Sequence, residues 1–112
     1  MRLNISNIAP QEPIINYEKM KLASGADIPS VGLGIWKIDR AVTADVVQSS
    51  IDVGYRHFDA ACDYGNEAEV GQGLAAAISS GKVRRDELWV TSKSRHRTWN
   101  ACEKISPCLI LN

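Results

Sequence analysis

Residues 54–67 read GYRHFDAACDYGNE, a short apolar run that ends at Asp59 and is followed five positions later by Tyr64. A strand end and the turn after it can direct both side chains into one pocket. A second apolar run, residues 88–92, stops immediately before Lys93. An aspartate, a tyrosine and a lysine at the exits of successive strands predict an acid–base site.

Helix and strand patterns alternate on both sides of this stretch. They predict a hairpin over 21–29, a strand over 30–36, a helix over 41–53 that ends at Gly54, a strand over 55–61, a helix from Asn66 to Gly81 and a strand over 88–92. Asn66 is expected to cap the second helix, with Glu69 completing a capping box. Apolar strands alternating with helices indicate an α/β fold with a parallel sheet, as an open doubly wound sheet or a (β/α)8 barrel.

The glycines of the first predicted strand help to choose between the open sheet and the barrel. Residues 32–34 read Gly-Leu-Gly and begin like a dinucleotide-binding fingerprint, but a third glycine and an immediate helix start do not follow. An open nucleotide-binding sheet is therefore less favoured than close strand packing inside a barrel.

The length, the charge balance and the cysteine content argue against several classes of protein and of partner. The 112 residues suffice for one ordinary domain, and 13 basic residues balance 13 acidic ones, so a nucleic-acid partner is not expected. The apolar runs fall well below the ~20 residues of a membrane helix. Residues 1–17 lack a secretory pattern and are expected to form a loosely ordered leader. Three irregularly spaced cysteines predict no disulfide framework and no metal site, which favours the cytoplasm.

The three strand-exit residues have complementary chemistry. A phenol is a poor acid at neutral pH, but an adjacent ammonium favours the phenolate and lowers the pKa of such a group. A carboxylate can hold that ammonium in place, so Tyr64, Lys93 and Asp59 together predict a proton donor for a developing alkoxide. His57 is expected to be a packed, hydrogen-bonded residue. Trp36 either walls a pocket or covers the barrel core.

Four segments between about Lys21 and Lys93 resemble the N-terminal part of the aldo-keto reductases: residues 32–37 (GLGIWK), 54–59 (GYRHFD), 64–67 (YGNE) and 88–93 (LWVTSK). The resemblance implies a (β/α)8 barrel with an N-terminal hairpin across its bottom. It also implies NADPH-dependent reduction of an aldehyde, ketone or sugar carbonyl to an alcohol.

The resemblance assigns roles to individual residues. Tyr64 would be the proton donor, Lys93 the residue that activates it and Asp59 the partner of the lysine. Cofactor contacts near the nicotinamide would come from Gly34, Ile35, Trp36 and Asp59, and the substrate would contact Trp36 and Tyr64. Family members often have threonine where Ile35 stands.

The resemblance lapses after Lys93. Residues 94–112 are expected to be a divergent tail, and residues 18–93 the hairpin and about three βα units of an incomplete barrel. A full barrel has ~250 residues. The chain is therefore expected to be a truncated, frameshifted or alternatively spliced reductase. Two alternatives stay open: a non-catalytic interaction module that binds a full-length subunit, and a complete small nucleotide-binding domain.

Overall fold

A computed structural model describes residues 18–93 of the chain. The expected leader (1–17) and divergent tail (94–112) lie outside the described residues. The element order is two short strands, then a strand, a helix, a strand, a helix and a strand. The alternation expected from the sequence is therefore present.

The first two strands form the predicted hairpin. Strand β1 (Lys19–Lys21) pairs antiparallel with β2 (Asp27–Pro29). Gly25 lies in the turn with a φ of 88°, a left-handed conformation that glycine adopts without steric cost.

Three parallel strands form the sheet that carries the site. Strands β3 (Leu33–Gly34), β4 (His57–Asp59) and β5 (Trp89–Thr91) lie side by side in sequence order. They are shorter than the apolar runs that predicted them. This order agrees with part of a barrel wall, in which each strand pairs with the next strand along the chain.

The register of the sheet separates its two faces. Phe58 lies opposite Leu33 and Val90, in one row across the three strands. Asp59 lies in the next row, opposite Gly34 and Thr91. Because successive residues of a strand face opposite sides, the first row packs towards the helices and the second row belongs to the other face.

Helix α1 (Arg40–Val53) has clear signals at both ends. The Asp39 side chain accepts a hydrogen bond from the backbone N–H of Ala41 at 2.8 Å. Gly54 ends the helix in the predicted left-handed conformation, with φ 113°. The side chains that this helix buries are Thr43, Val47, Ser50 and Ile51.

Helix α2 (Glu67–Ser79) begins after Asn66, but the predicted capping box is wrong. The Asn66 side chain makes no capping bond to its own helix. Instead of reaching back to Asn66, Glu69 accepts a hydrogen bond from Arg40 at 2.8 Å. Asn66 bonds to the loop before α1 and Glu69 bonds to the first residue of α1, two contacts that a local sequence pattern does not report.

The hydrophobic core lies between the sheet and the two helices. Its fully or almost fully buried members are Ile35, Val47, Ile51, Phe58, Val70, Leu74, Ala77, Val83 and Leu88. The helices approach closely at Gly73, where an added Cβ would lie 2.8 Å from the carbonyl oxygen of Ala44. A larger residue at that position would push the helices apart.

The Arg40–Glu69 ion pair predicts a pH-dependent contribution to stability. The hydrogen bond from Arg40 lowers the pKa of Glu69 below its usual value of 4.5. A lowered pKa in the folded state means that the contribution is present above pH 4.5 and is lost as the pH falls through the folded-state pKa. We therefore expect Glu69→Gln to lower the free energy of unfolding at pH 7 by a small amount, and by nothing at pH 2, in urea titrations followed by circular dichroism. The control is Glu69→Gln in an Arg40→Met background, where an undiminished pH-dependent difference would contradict the assignment.

Two further findings concern the described residues as a set. No helix within 18–93 combines the length and the apolar character needed to cross a membrane. Within the same range, histidine, cysteine, aspartate and glutamate nowhere form a group of three or more that could hold a metal ion.

Candidate active site

The three predicted acid–base residues all lie where strands end. Asp59 is the last residue of β4, Tyr64 ends the short 3-10 turn Cys62–Tyr64, and Lys93 follows β5 by two positions. A backbone hydrogen bond joins the segments that follow β4 and β5. The Cys62 N–H donates to the Lys93 carbonyl oxygen at 3.0 Å. The loop that carries Tyr64 is therefore held against the segment that carries Lys93.

Lys93 lies between the other two residues. Its ammonium donates a hydrogen bond to Oδ1 of Asp59, and its Nζ is 5.4 Å from the centroid of the Tyr64 ring. The hydrogen bond to Asp59 raises the pKa of Lys93 above its usual 10.5, partial desolvation opposes this, and a hydrogen bond with Tyr64 adds to the rise. Lys93 therefore stays charged throughout the physiological pH range.

Trp36 lies at the same end of the sheet. Its ring centroid is 6.5 Å from that of Tyr64, and 64% of the residue is exposed. Whether Trp36 walls a pocket or covers the barrel core stays a prediction. Lys37 follows it with a φ of 63° and places its Nζ 4.5 Å from the Trp36 ring centroid.

The sheet surface beside Asp59 is open. A Cβ built on Gly34, the register partner of Asp59, would have no heavy atom within 4 Å. The backbone of Gly34 is therefore exposed on the face of the sheet that carries Asp59. Ile35 differs from its neighbours because its side chain is 0% exposed and belongs to the core. Its predicted cofactor contact stays a prediction. Because the side chain is buried, such a contact would involve the backbone atoms of Ile35.

His57 has the structural role that we expected. Its Nδ1 lies 3.1 Å from the carbonyl oxygen of Pro29, which ties β4 to the end of the hairpin. An added Cβ on Gly32 would lie 3.0 Å from the imidazole ring, so a bare residue is needed there. Cys62 is a free thiol in the described part of the chain, and His96 lies outside it.

Sequence reasoning missed two contacts next to Tyr64. Asn66 donates from Nδ2 to the carbonyl oxygens of Ile35 and Ile38, both at 3.0 Å. Glu67 accepts a hydrogen bond from the Ser92 hydroxyl. A signal for their burial was available, because Asn66 and Glu67 precede the buried Val70 by four and three positions and so continue its helix face.

The arrangement suits proton donation to an oxygen that gains negative charge. Lys93 is bonded to Asp59 and lies beside the Tyr64 ring, and a phenol next to a fixed ammonium can serve as a proton donor. The exposed indole of Trp36 lies near the same ring.

Comparisons with known proteins give one consistent family. The profile of the Aldo/keto reductase family matches residues 28–108. The chain is 51% identical over 88 residues to the NAD(P)H-dependent D-xylose reductases XYR1 of Pyricularia oryzae and xyl1 of Hypocrea jecorina. The match covers 79% of this chain and 27% of each reductase.

A solved structure is similar in fold. The aldo-keto reductase AKR2E4 of Bombyx mori, crystallised in complex with NADP, superimposes with a TM-score of 0.67 and 37% sequence identity. The superposition covers 71% of this chain and 28% of that protein. The chain thus spans little more than a quarter of the proteins it matches, and its three-stranded sheet is part of a barrel. These relatives do not favour the interaction-module alternative.

Proposed function

Because the chain belongs to the aldo/keto reductase family, we propose that residues 18–93 contribute the proton-donating part of an NADP(H)-dependent carbonyl reductase site. The observation that carries this proposal is the position of Lys93, bonded to Asp59 and adjacent to the Tyr64 ring. In this proposal Tyr64 protonates the carbonyl oxygen. Lys93 favours release of that proton, and Asp59 orients Lys93.

The open surface fits the nicotinamide end of the cofactor. We propose that Gly34, Trp36 and Asp59 contact the nicotinamide end, and that Ile35 adds backbone atoms; the open space at Gly34 and the exposed Trp36 ring support this. When bound, the reduced nicotinamide supplies the hydride that the carbonyl carbon receives. The residues of this chain bind and orient at that end, and Tyr64 delivers the proton.

We propose a sugar aldehyde as the substrate class. D-xylose reductases are among the relatives at 51% identity, and the exposed indole of Trp36 offers a wall against which a small polyol can lie.

A cytoplasmic location also stays part of the proposal, supported by the free thiol of Cys62.

A transplant tests the proposal directly. Residues 18–93 would replace the homologous segment of the Hypocrea jecorina D-xylose reductase, so that the remaining strands come from the relative. We expect NADPH-dependent reduction of D-xylose, measured by the fall in NADPH absorbance. A folded transplant that binds NADPH but reduces no aldehyde would contradict the proposed roles.

The 112-residue polypeptide alone should show no turnover in the same assay. Its described sheet has three strands, whereas a closed barrel has eight, and catalytic groups come from the ends of several of them. Measurable NADPH-dependent reduction by this polypeptide would contradict that expectation.

A further inference from the structure

Two consecutive polar residues are buried immediately after the Tyr64 turn. Asn66 is 1% exposed and Glu67 is 5% exposed. Buried polar groups persist where they are bonded, so the partners of these two residues indicate what they do. The partners lie on two different loops, both of them at the strand exits that form the candidate site.

Asn66 holds the loop that carries Trp36. Its Nδ2 donates to the carbonyl oxygens of Ile35 and Ile38, which lie just before and just after the pair Trp36–Lys37. One amide group therefore closes this short loop at both ends. The indole is left exposed, facing the ring of Tyr64.

Glu67 holds the exit of β5. Its Oε1 accepts a hydrogen bond from the hydroxyl of Ser92, the residue before Lys93. The carbonyl of Lys93 is already bonded to the N–H of Cys62 on the loop after β4. The start of α2 and the loop that carries Tyr64 thus hold the lysine segment from two sides.

We propose that Asn66 and Glu67 are positioning residues that set the three strand exits against one another. Asn66 places Trp36 relative to Tyr64, and Glu67 places Lys93 relative to Tyr64 through Ser92. Tyr64 precedes Asn66 by only two residues. The first turn of α2 is therefore the common point from which the two neighbouring loops are positioned relative to Tyr64. The consequence for catalysis rests on the proposed function, whereas the placement itself does not.

The placement is testable by nuclear Overhauser contacts in the 112-residue chain. Asn66→Ala should remove the contact between the rings of Trp36 and Tyr64 and leave the contact between Lys93 and Tyr64. Ser92→Ala and Glu67→Ala should do the reverse, and Glu67→Gln, which keeps an acceptor for Ser92, should preserve both. The matched control is Gln72→Ala at an exposed position of α2, which should change neither contact.

Each remaining outcome counts against the proposal. Both contacts surviving in every folded variant would overturn it, and so would joint loss of both contacts in every variant, which indicates general destabilisation. If Asn66→Ala unfolds, the part of the proposal that concerns Asn66 is tested in the unsubstituted chain, by the exchange rate of the Asn66 side-chain amide protons. Slow exchange supports the two carbonyl bonds, and exchange as fast as in free asparagine overturns them.

The transplanted reductase adds a kinetic distinction. Asn66→Ala should raise the KM for the aldehyde about tenfold with a smaller change in kcat, since substrate binding depends on Trp36. Glu67→Ala and Ser92→Ala should each lower kcat about tenfold, and the double variant should be no worse than either alone. Equal losses of both parameters in all variants would overturn the proposal. A folded transplant that binds NADPH but is inactive from the start refutes the proposed function and leaves the contact measurements standing.

Discussion

Replacing Tyr64 with phenylalanine should lower kcat of the transplanted reductase by about 10²–10⁴-fold, the range that a single general acid or base contributes. Phenylalanine keeps the ring that lies near Trp36 and Lys93 and removes the hydroxyl that would protonate the carbonyl oxygen. Binding of NADPH, measured by fluorescence titration, should change little, because the open surface at Gly34 remains.

The chain offers a matched control for this substitution. Tyr55 is a partly buried tyrosine that packs against the core, away from the strand exits. Tyr55→Phe should leave kcat within about twofold, because a substitution away from the reacting groups changes little. Full activity of Tyr64→Phe would assign the proton to another donor and refute the central role proposed for Tyr64.

Replacing Phe58 with alanine should destabilise the 112-residue chain by about 3–5 kcal/mol, the usual cost of removing a buried aromatic side chain. Phe58 is 0% exposed and lies in the central strand, between Leu33 and Val90. A small domain has only about 5–15 kcal/mol of net stability, so this substitution should remove a large fraction of it. The free energy of unfolding from urea titration provides the measurement.

Two further variants show whether the loss is specific to the core. Met20 is 56% exposed on the hairpin, and Met20→Ala should change stability by no more than about 0.5 kcal/mol. Phe58→Leu should lie between alanine and the unsubstituted chain, because leucine refills part of the cavity. Equal effects of Phe58→Ala and Met20→Ala would show that the core around β4 does not form in solution.

The Phe58 and Tyr64 predictions are connected through β4. Phe58 and Asp59 are neighbours in the strand and therefore face opposite sides of the sheet. The first lies in the core beneath the helices, and the second bonds Lys93 at the site. A substitution that disrupts the core should therefore also disturb the site, which makes stability a necessary control for each kinetic variant.

Local patterns were sufficient to predict most of the fold. The two helices, their ends at Gly54 and near Gly81, the hairpin and the alternation of strands with helices all follow from periodicity and from residues with special backbone preferences. The predicted strands were longer than those in the structure, because the apolar pattern continues past the last residue that pairs with a neighbouring strand. Ile35, for example, is buried beyond the end of β3.

The capping box failed for a physical reason. Asn66 has the right residue type and position to cap α2, but the carbonyl oxygens of Ile35 and Ile38 lie within reach of its amide. The two bonds from Nδ2 orient the amide towards that loop, and Oδ1, the atom that would cap α2, is left without a partner. The two carbonyls belong to a loop about 30 positions earlier in the chain, beyond any local pattern.

By itself the sequence determined the alternation of elements, the parallel sheet and the grouping of Asp59, Tyr64 and Lys93 at strand exits. These follow from periodicity and from the rule that parallel strands place their carboxyl ends at one edge. Tertiary structure alone decided that Ile35 turns into the core, that Trp36 stays exposed, and that Asn66 and Glu67 bond two separate loops. Such contacts depend on which distant residues come within hydrogen-bonding distance, and only the folded backbone brings them there.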